Sequence, residues 1–303
     1  MDTLETTGPR TAGPVLGGVM EDCVLVGVDG SEPSLTALEW AADEAALRGL
    51  RVEILRSTSR PLFEPYAGEA YEAFERAVRA TLEKATTRLR ERHPDVPVGI
   101  TVSADFPTPA MIAERADVTL RVVGLNGRGA LPGAKIGSVA YQVAAYAPGP
   151  VVVVGGEPAA TGGEREVLVG VDGARDAQVP LRAAYTEARA RGARIRAVHA
   201  WRHASAMRPG DMLYPVHDRA VVERDEERQL AEALAGWKAD DPDQTYIAEA
   251  REAGAVETLS RLSATAELLV VGARGRFGFP LLALGSVAHG VLHHARCPVL
   301  IAR

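Results

Sequence analysis

The chain contains one glycine-rich pattern twice. Residues 124–138 read GLNGRGALPGAKIGS and residues 272–286 read GARGRFGFPLLALGS. In both copies, two glycines separated by two residues are followed, after nine further residues, by a Gly-Ser pair. Each copy follows a Val-rich apolar run and leads into a segment of helical character. A pattern repeated over this length predicts two copies of one domain rather than a single large domain.

The order of strand, glycine loop and helix start favours phosphate binding. Glycine permits positive φ and lets a ligand approach the backbone without a Cβ in the way. N–H groups at a helix start point towards anions, and the serine can cap the helix and donate its hydroxyl to a phosphate oxygen. Ordinary strand-to-helix turns also use glycine. Repetition of the full spacing nevertheless makes a phosphate cradle the leading interpretation.

Two better-known phosphate loops do not match. A Walker loop needs Gly-Lys-Ser/Thr, whereas Lys135 follows alanine and precedes isoleucine. The dinucleotide fingerprint GxGxxG is also not matched, because Gly127, Gly129 and Gly133 have the wrong spacing.

Length and charge limit the class of protein. A chain of 303 residues suggests about two domains of ordinary size. The formal charge of −6 argues against nucleic acid as the main partner. No apolar run reaches the roughly 18 residues that a membrane helix needs, and two cysteines in dissimilar contexts, Cys23 and Cys297, indicate a reducing compartment. We therefore expect a cytoplasmic protein with neither a nucleic-acid nor a membrane partner.

A second repeat defines the domain organisation. VLVGVDG occurs at residues 24–30 and again at residues 167–173. In each half, apolar strands alternate with amphipathic helices, which predicts a parallel, doubly wound sheet. The predicted organisation is a disordered leader at 1–20, a first domain at 21–155, a linker at 156–164 and a second domain at 165–303.

The two motifs together resemble the universal stress protein family. The most specific stretch is ELLVVGARGRFGF followed by LGSVAHGVLHHARCPVLIAR, and the resemblance covers nearly the whole chain after residue 20. It implies an α/β fold: two tandem doubly wound, Rossmann-like parallel sheets of five strands, in order 3-2-1-4-5, sandwiched by helices. It also implies that ATP, with or without Mg²⁺, binds between the first and fourth strands, where the winding reverses.

The resemblance assigns the same set of binding positions to each half. An aspartate and the valine before it face the adenosine, a residue at the end of the second strand borders adenine, and loop residues cradle the phosphates. In the first half these are Val28, Asp29, Ser57, Gly124, Gly127, Gly137, Ser138 and Val139. In the second half they are Val171, Asp172, Ala200, Gly272, Gly275, Gly285, Ser286 and Val287. Arg128 and Arg276, after the second loop glycine, could meet phosphate or only solvent.

Several of these residues also have a simpler explanation. Asp29 and Asp172 could cap the turn that follows the strand. His199, in an apolar strand, is better explained as a packed core histidine than as a ligand or catalyst. His293 and His294 are adjacent on a helix, so their side chains diverge and cannot chelate together. We therefore predict no metal ligands.

The two halves differ at informative positions. Arg121 stands in a central strand where the second half has Leu269, and it is costly there unless it reaches solvent or an acid. Ala174 replaces the serine that the first half keeps as Ser31. Since neither site is plainly disrupted, we expect two occupied sites of unequal affinity.

The fifth strand of each half, at 151–154 and 299–302, is apolar and would be exposed at a sheet edge. We expect the two edges to pair with each other, which makes the chain an intramolecular pseudo-dimer. The sequence leaves open whether two chains then form a homodimer.

No activated nucleophile, carboxylate–histidine pair or metal cluster occurs at recognisable spacing, so we predict no catalytic residues. A backbone cradle supplies no base to orient an attacking water. The favoured function is an ATP-binding stress-response protein whose nucleotide occupancy signals energy state. Two alternatives stay open: a slow ATPase or nucleotidyl-transfer enzyme, and a nucleotide-free interaction module.

Overall fold

The computed structural model describes residues 22–59, 69–129, 133, 135–155, 164–173, 177–202, 218–275 and 283–303. The predicted leader at 1–20 and all but the last residue of the predicted linker at 156–164 lie outside these residues.

Strands and helices alternate in the first half as the periodicity predicts. The strands are β1 (Cys23–Gly27), β2 (Arg51–Ser57), β3 (Val98–Ser103), β4 (Val118–Gly124) and β5 (Val151–Val154). The helices are α1 (Glu32–Arg48), α2 (Glu69–Arg92), α3 (Pro107–Ile112) and α4 (Ser138–Tyr146). Local signals set the ends of α1: Ser31 caps its first turn, and Gly49 ends it at a φ of 66°, a left-handed conformation that glycine adopts without strain.

The second half repeats this order. Its strands are β6 (Glu166–Gly170), β7 (Arg194–Trp201), β8 (Tyr246–Glu252), β9 (Leu268–Gly272) and β10 (Val299–Ala302). Its helices are α5 (Gln178–Arg191), α6 (Arg219–Asp240), α7 (Ala255–Leu262) and α8 (Ser286–His294).

All of these strands lie in one ten-stranded sheet of order β3-β2-β1-β4-β5-β10-β9-β6-β7-β8. Each half is parallel and has the expected order 3-2-1-4-5, which confirms the fold class. At the centre, β5 and β10 pair antiparallel, with Val152 opposite Leu300. The predicted pairing of the fifth strands is therefore confirmed, and it turns two five-stranded sheets into one.

Helices cover both faces of the sheet and divide the core into two layers. Leu38 of α1 and Leu181 of α5 belong to one buried cluster, which also takes side chains from α2 and α6. Val143 of α4 and Val291 of α8 belong to the other, together with side chains from α3 and α7. Each layer runs through both halves, so the halves share their hydrophobic core.

Arg121 in β4 finds partners that the sequence did not indicate. It is 2% exposed and donates hydrogen bonds to three backbone carbonyls, those of Met111, Ala113 and Pro148. The first two end α3, and the last carbonyls of a helix lack intrahelical partners and carry partial negative charge. Burial lowers the pKa of Arg121. The guanidinium is thus stabilised by carbonyl groups rather than by solvent or a hydrogen-bonded acid.

A largely buried ring of four charges joins α1 to α5. Arg48 and Arg191 each pair with both Glu44 and Glu187, so that the charges alternate in sign. The ring joins equivalent positions of the two halves, because Glu44 corresponds to Glu187 and Arg48 to Arg191. Burial and Glu187 act to raise the pKa of Glu44, while both arginines act to lower it, and the net shift is upward.

Removing one member of this ring leaves a buried carboxylate underpaired. We expect Arg191→Met to lower the free energy of unfolding by about 3–5 kcal/mol. Arg76→Met, which breaks an exposed pair with Glu72, should change it by at most about 0.5 kcal/mol. Thermal and urea unfolding of both variants tests this, and equal stabilities would show that the ring contributes nothing.

Candidate functional site

A cavity of about 280 Å³ opens at the carboxyl ends of β1 and β4. This is the point where the strand order reverses, and in open α/β sheets ligands bind in the crevice formed there. The cavity is lined by the ends of β1 and β2, by α3, by the glycine loop and by the start of α4. The predicted residues that line it are Val28, Asp29, Ser57, Gly124, Gly127, Gly137, Ser138 and Val139. Arg128 is described but is not among the lining residues.

Asp29 ties the end of β1 to the glycine loop. Its Oδ2 accepts a hydrogen bond from the backbone N–H of Arg128 at 2.7 Å. Its Oδ1 accepts hydrogen bonds from the N–H and the hydroxyl of Ser31. Burial acts to raise the pKa of Asp29, but these hydrogen bonds outweigh it and bring the pKa below the usual 3.8. Asp29 is therefore an ionised carboxylate that organises the turn, and its contact with a ligand stays a prediction.

Two of the predicted loop glycines are required by the protein itself. A Cβ on Gly124 would lie 2.5 Å from the carbonyl oxygen of Pro33, so glycine lets β4 approach the start of α1. A Cβ on Gly127 would lie 2.5 Å from Oδ2 of Asp29. A Cβ on Gly137, by contrast, would come no closer than 3.4 Å to any neighbour. Gly137 is thus a loop position where a side chain could enter the cavity with little disturbance of the fold.

The helix that follows the loop starts without a side-chain cap. Gly137 is the N-cap residue of α4, and Ser138 is its first helical residue. The prediction that this serine caps the helix is wrong, because a cap precedes the first helical residue. The corresponding N-cap of α8 is Gly285, again with no side-chain hydrogen bond. No side chain therefore accepts a hydrogen bond from the first backbone N–H groups of α4 and α8. Such groups can be satisfied by an anion, by water or by other backbone.

The second half repeats the backbone arrangement. The N–H of Val171 donates to the carbonyl of Val198 as Val28 does to Leu55. A Cβ on Gly275 would lie 3.0 Å from Oδ2 of Asp172, a looser version of the 2.5 Å approach of Gly127 to Asp29 in the first half. Ala200 is the penultimate residue of β7, and Ser286 and Val287 begin α8. Arg276 and Ala174 lie outside the described residues.

His199 of β7 is a packed core histidine, as predicted. It is 5% exposed. Its Nδ1 lies 2.8 Å from the carbonyl oxygen of Val171, and its Nε2 lies 2.8 Å from Oε2 of Glu226 in α6. Sequence reasoning missed Glu226, since nothing local links a charge on α6 to a strand 27 residues away.

Sequence reasoning also missed several residues of the cavity wall. Pro107 and Met111 of α3 close one side, and Leu55, Arg56 and Asn126 lie beside predicted residues. The signal that could have found Arg56 and Asn126 is their adjacency in sequence to Ser57 and Gly127. The helix α3 has no such signal, because its approach to the cavity depends on how the chain crosses the sheet.

Metal clusters and membrane-spanning helices are both absent from the described residues. No group of three or more His, Cys, Asp or Glu side chains there is arranged to hold a metal ion. The same part of the chain contains no helix long and apolar enough to cross a bilayer.

Comparison with known proteins identifies relatives over most of the chain. The model of the universal stress protein family matches residues 20–155 and 164–303. Universal stress proteins of Mycobacterium bovis and Mycobacterium tuberculosis are each 32% identical over 307 residues, covering 92% of this chain and 94% of theirs. The crystal structure of a universal stress protein from Archaeoglobus fulgidus has a similar fold, with a TM-score of 0.65 at 16% identity, covering 94% of this chain and 97% of that one.

The glycine at position 127 allows a direct test of the Asp29 contact. Gly127→Ala should push the carboxylate away and lower the free energy of unfolding by about 1–3 kcal/mol, the cost of losing a charged hydrogen bond. Gly129→Ala is the matched control, because a Cβ there has no neighbour within 4 Å. In a double-mutant cycle with Asp29→Asn, measured by chemical denaturation, the two effects should be less than additive. Full additivity would refute the contact.

The lowered pKa of Asp29 also predicts a pH dependence. The ionised group stabilises the folded state at pH values above its unfolded pKa, near 3.8, and this contribution is lost as the pH falls through the lower folded pKa. The stability difference between the native chain and Asp29→Asn should therefore be constant near pH 7 and shrink below about pH 4. A difference that grows on acidification would contradict this assignment.

Proposed function

Because the chain belongs to the universal stress protein family, we propose that it binds an adenine nucleotide, ATP foremost, and acts in stress response through nucleotide occupancy. The observation that carries this proposal is the cavity at the β1–β4 switch point, where uncapped amides of α4 meet a glycine loop. Its volume, about 280 Å³, is near the lower limit of about 300 Å³ for small-molecule sites. The polyphosphate would lie towards the start of α4, where the amides favour negative charge.

Binding without efficient catalysis is the form of this proposal that the cavity supports. Among the described residues that line it, Asp29 is the only carboxylate and none is a histidine. Both oxygens of Asp29 already accept hydrogen bonds from the protein. An effective general base has a pKa near the operating pH, whereas the hydrogen bonds to Asp29 bring its pKa below the usual 3.8. A bound Mg²⁺ would accordingly take most of its ligands from phosphate and water.

Gly137 and Gly285 offer a matched pair of variants that test this. A Cβ at either position has no neighbour closer than 3.4 Å, so valine should fill the crevice and leave the unfolding midpoint nearly unchanged. Calorimetric titration with ATP should give two sites per native chain, one in each single variant, and none in the double variant. Turnover of ATP should stay below about 1 s⁻¹, the lower end of ordinary enzyme rates.

The alternatives predict other results. Native protein that binds no ATP and releases no small molecule on denaturation would be a nucleotide-free interaction module. ATP binding that survives in the Gly137→Val, Gly285→Val double variant would place the nucleotide elsewhere. Turnover well above 1 s⁻¹ would identify an enzyme.

A further inference from the structure

Two polar atoms at the first-half cavity are buried without a hydrogen-bond partner. They are Nε of Arg56 and Oδ1 of Asn126, and both residues line the cavity. The only hydrogen bond of Arg56 among the described residues is a long one, 3.4 Å from Nη1 to the carbonyl oxygen of Val28. A guanidinium carries five N–H donors, and the described residues offer a hydrogen-bond acceptor to only one nitrogen of Arg56. Buried donors of this kind are costly unless an acceptor is supplied.

The charges around Arg56 do not supply that acceptor. No carboxylate of the described residues forms an ion pair with it, although Asp29 is near enough to favour its charge. The carboxylate of Asp29 is instead occupied by Ser31 and by the backbone of Arg128. Burial lowers the pKa of Arg56, and the neighbouring Arg128 acts in the same direction. The protein therefore keeps an arginine beside an open cavity at a cost that an acceptor on a ligand would offset.

The second half provides an internal comparison. His199 is the counterpart of Arg56 in the strand register. The carbonyl of Leu55, just before Arg56, accepts from the N–H of Val28, and the carbonyl of Val198, just before His199, accepts from the N–H of Val171. His199 has both ring nitrogens occupied, one by a carbonyl and one by Glu226. The polar groups of the second half are therefore satisfied internally at this position.

The acid that satisfies His199 has no equivalent in the first half. A Cβ on Gly30 would contact Thr81 of α2, and one on the equivalent Gly173 would contact Gln229 of α6. Thr81 of α2 is therefore the equivalent of Gln229 of α6. Three residues earlier in each helix, the buried Val78 is the equivalent of Glu226. The first half thus has Arg56 and Val78 where the second half has His199 and Glu226. A side-chain donor without an acceptor therefore remains at Arg56 but not at His199.

We propose that Arg56 donates a hydrogen bond to an acceptor atom in the nucleoside part of the ligand bound in the first half. This inference rests on the proposed function. Arg56 lies between Leu55 and Ser57, at the β2 end of the cavity, next to Val28. The uncapped amides of α4 and the glycine loop form the other side, where the phosphates belong. Arg56 is thus a binding residue of this half that the second half does not reproduce.

Titrations of the full chain with ATP, adenosine and tripolyphosphate test this. Arg56→Met should weaken binding of ATP and of adenosine at the first-half site by about 10-fold or more, as expected for loss of a hydrogen bond from a charged donor. Tripolyphosphate binding should be unchanged. Arg56→Gln, whose amide can still donate, should recover part of the adenosine affinity. Arg79→Met, at an exposed position of α2, is the control for loss of charge and should behave as the native chain.

The other outcomes overturn the inference. Equal loss for tripolyphosphate and adenosine would assign Arg56 to the phosphates, and unchanged adenosine affinity in Arg56→Met would remove it from the site. If Arg56→Met unfolds at a lower temperature than the native chain, Arg56→Gln takes its place in the test. The ratio of its adenosine affinity to its tripolyphosphate affinity then distinguishes the same outcomes. Failure of the native chain to bind ATP would instead refute the proposed function, so the two failures are distinguishable.

Discussion

The antiparallel pairing of β5 with β10 is the contact on which the rest of the molecule depends. It removes two apolar strand edges that would otherwise be open to other chains. It also sets α1 beside α5, so that Glu44, Arg48, Glu187 and Arg191 can form an alternating ring. Charges of this kind are costly to bury singly. The ring is therefore possible only because the strand pairing holds equivalent helices at a fixed distance.

Glycine has more than one purpose in the repeated loop. Gly124 lets two backbones approach, Gly127 makes room for the carboxylate of Asp29, and Gly137 begins a helix without a capping side chain. Only the last arrangement leaves amides directly available to an anion. The glycine spacing that predicts ligand binding is thus partly explained by packing within the protein. Ligand approach and internal packing both require glycine in the same short loop.

Duplication preserved the backbone of the two halves while their side chains diverged. In the second half, His199 and Glu226 form a hydrogen bond with each other. In the first half, the equivalent Arg56 faces an apolar position of α2, and its Nε has no hydrogen-bond partner. Where the second half has Leu269, the first half has Arg121, which hydrogen-bonds to carbonyls at helix ends. Such changes alter what each half can bind without altering the sheet, because the strand ladder depends on backbone groups.

The sequence by itself determined the two-fold repeat and the alternation of strands with helices, which follow from periodicity and glycine spacing within short segments. The strand order in each half and the residues of the crevice were implied by the resemblance of the two motifs to the universal stress protein family. Only the tertiary structure decided which polar groups find partners: the carbonyls around Arg121, the acid beside His199 and the unmatched guanidinium of Arg56. Those pairings join side chains from elements far apart in the chain, so their existence depends on packing geometry that no local pattern encodes.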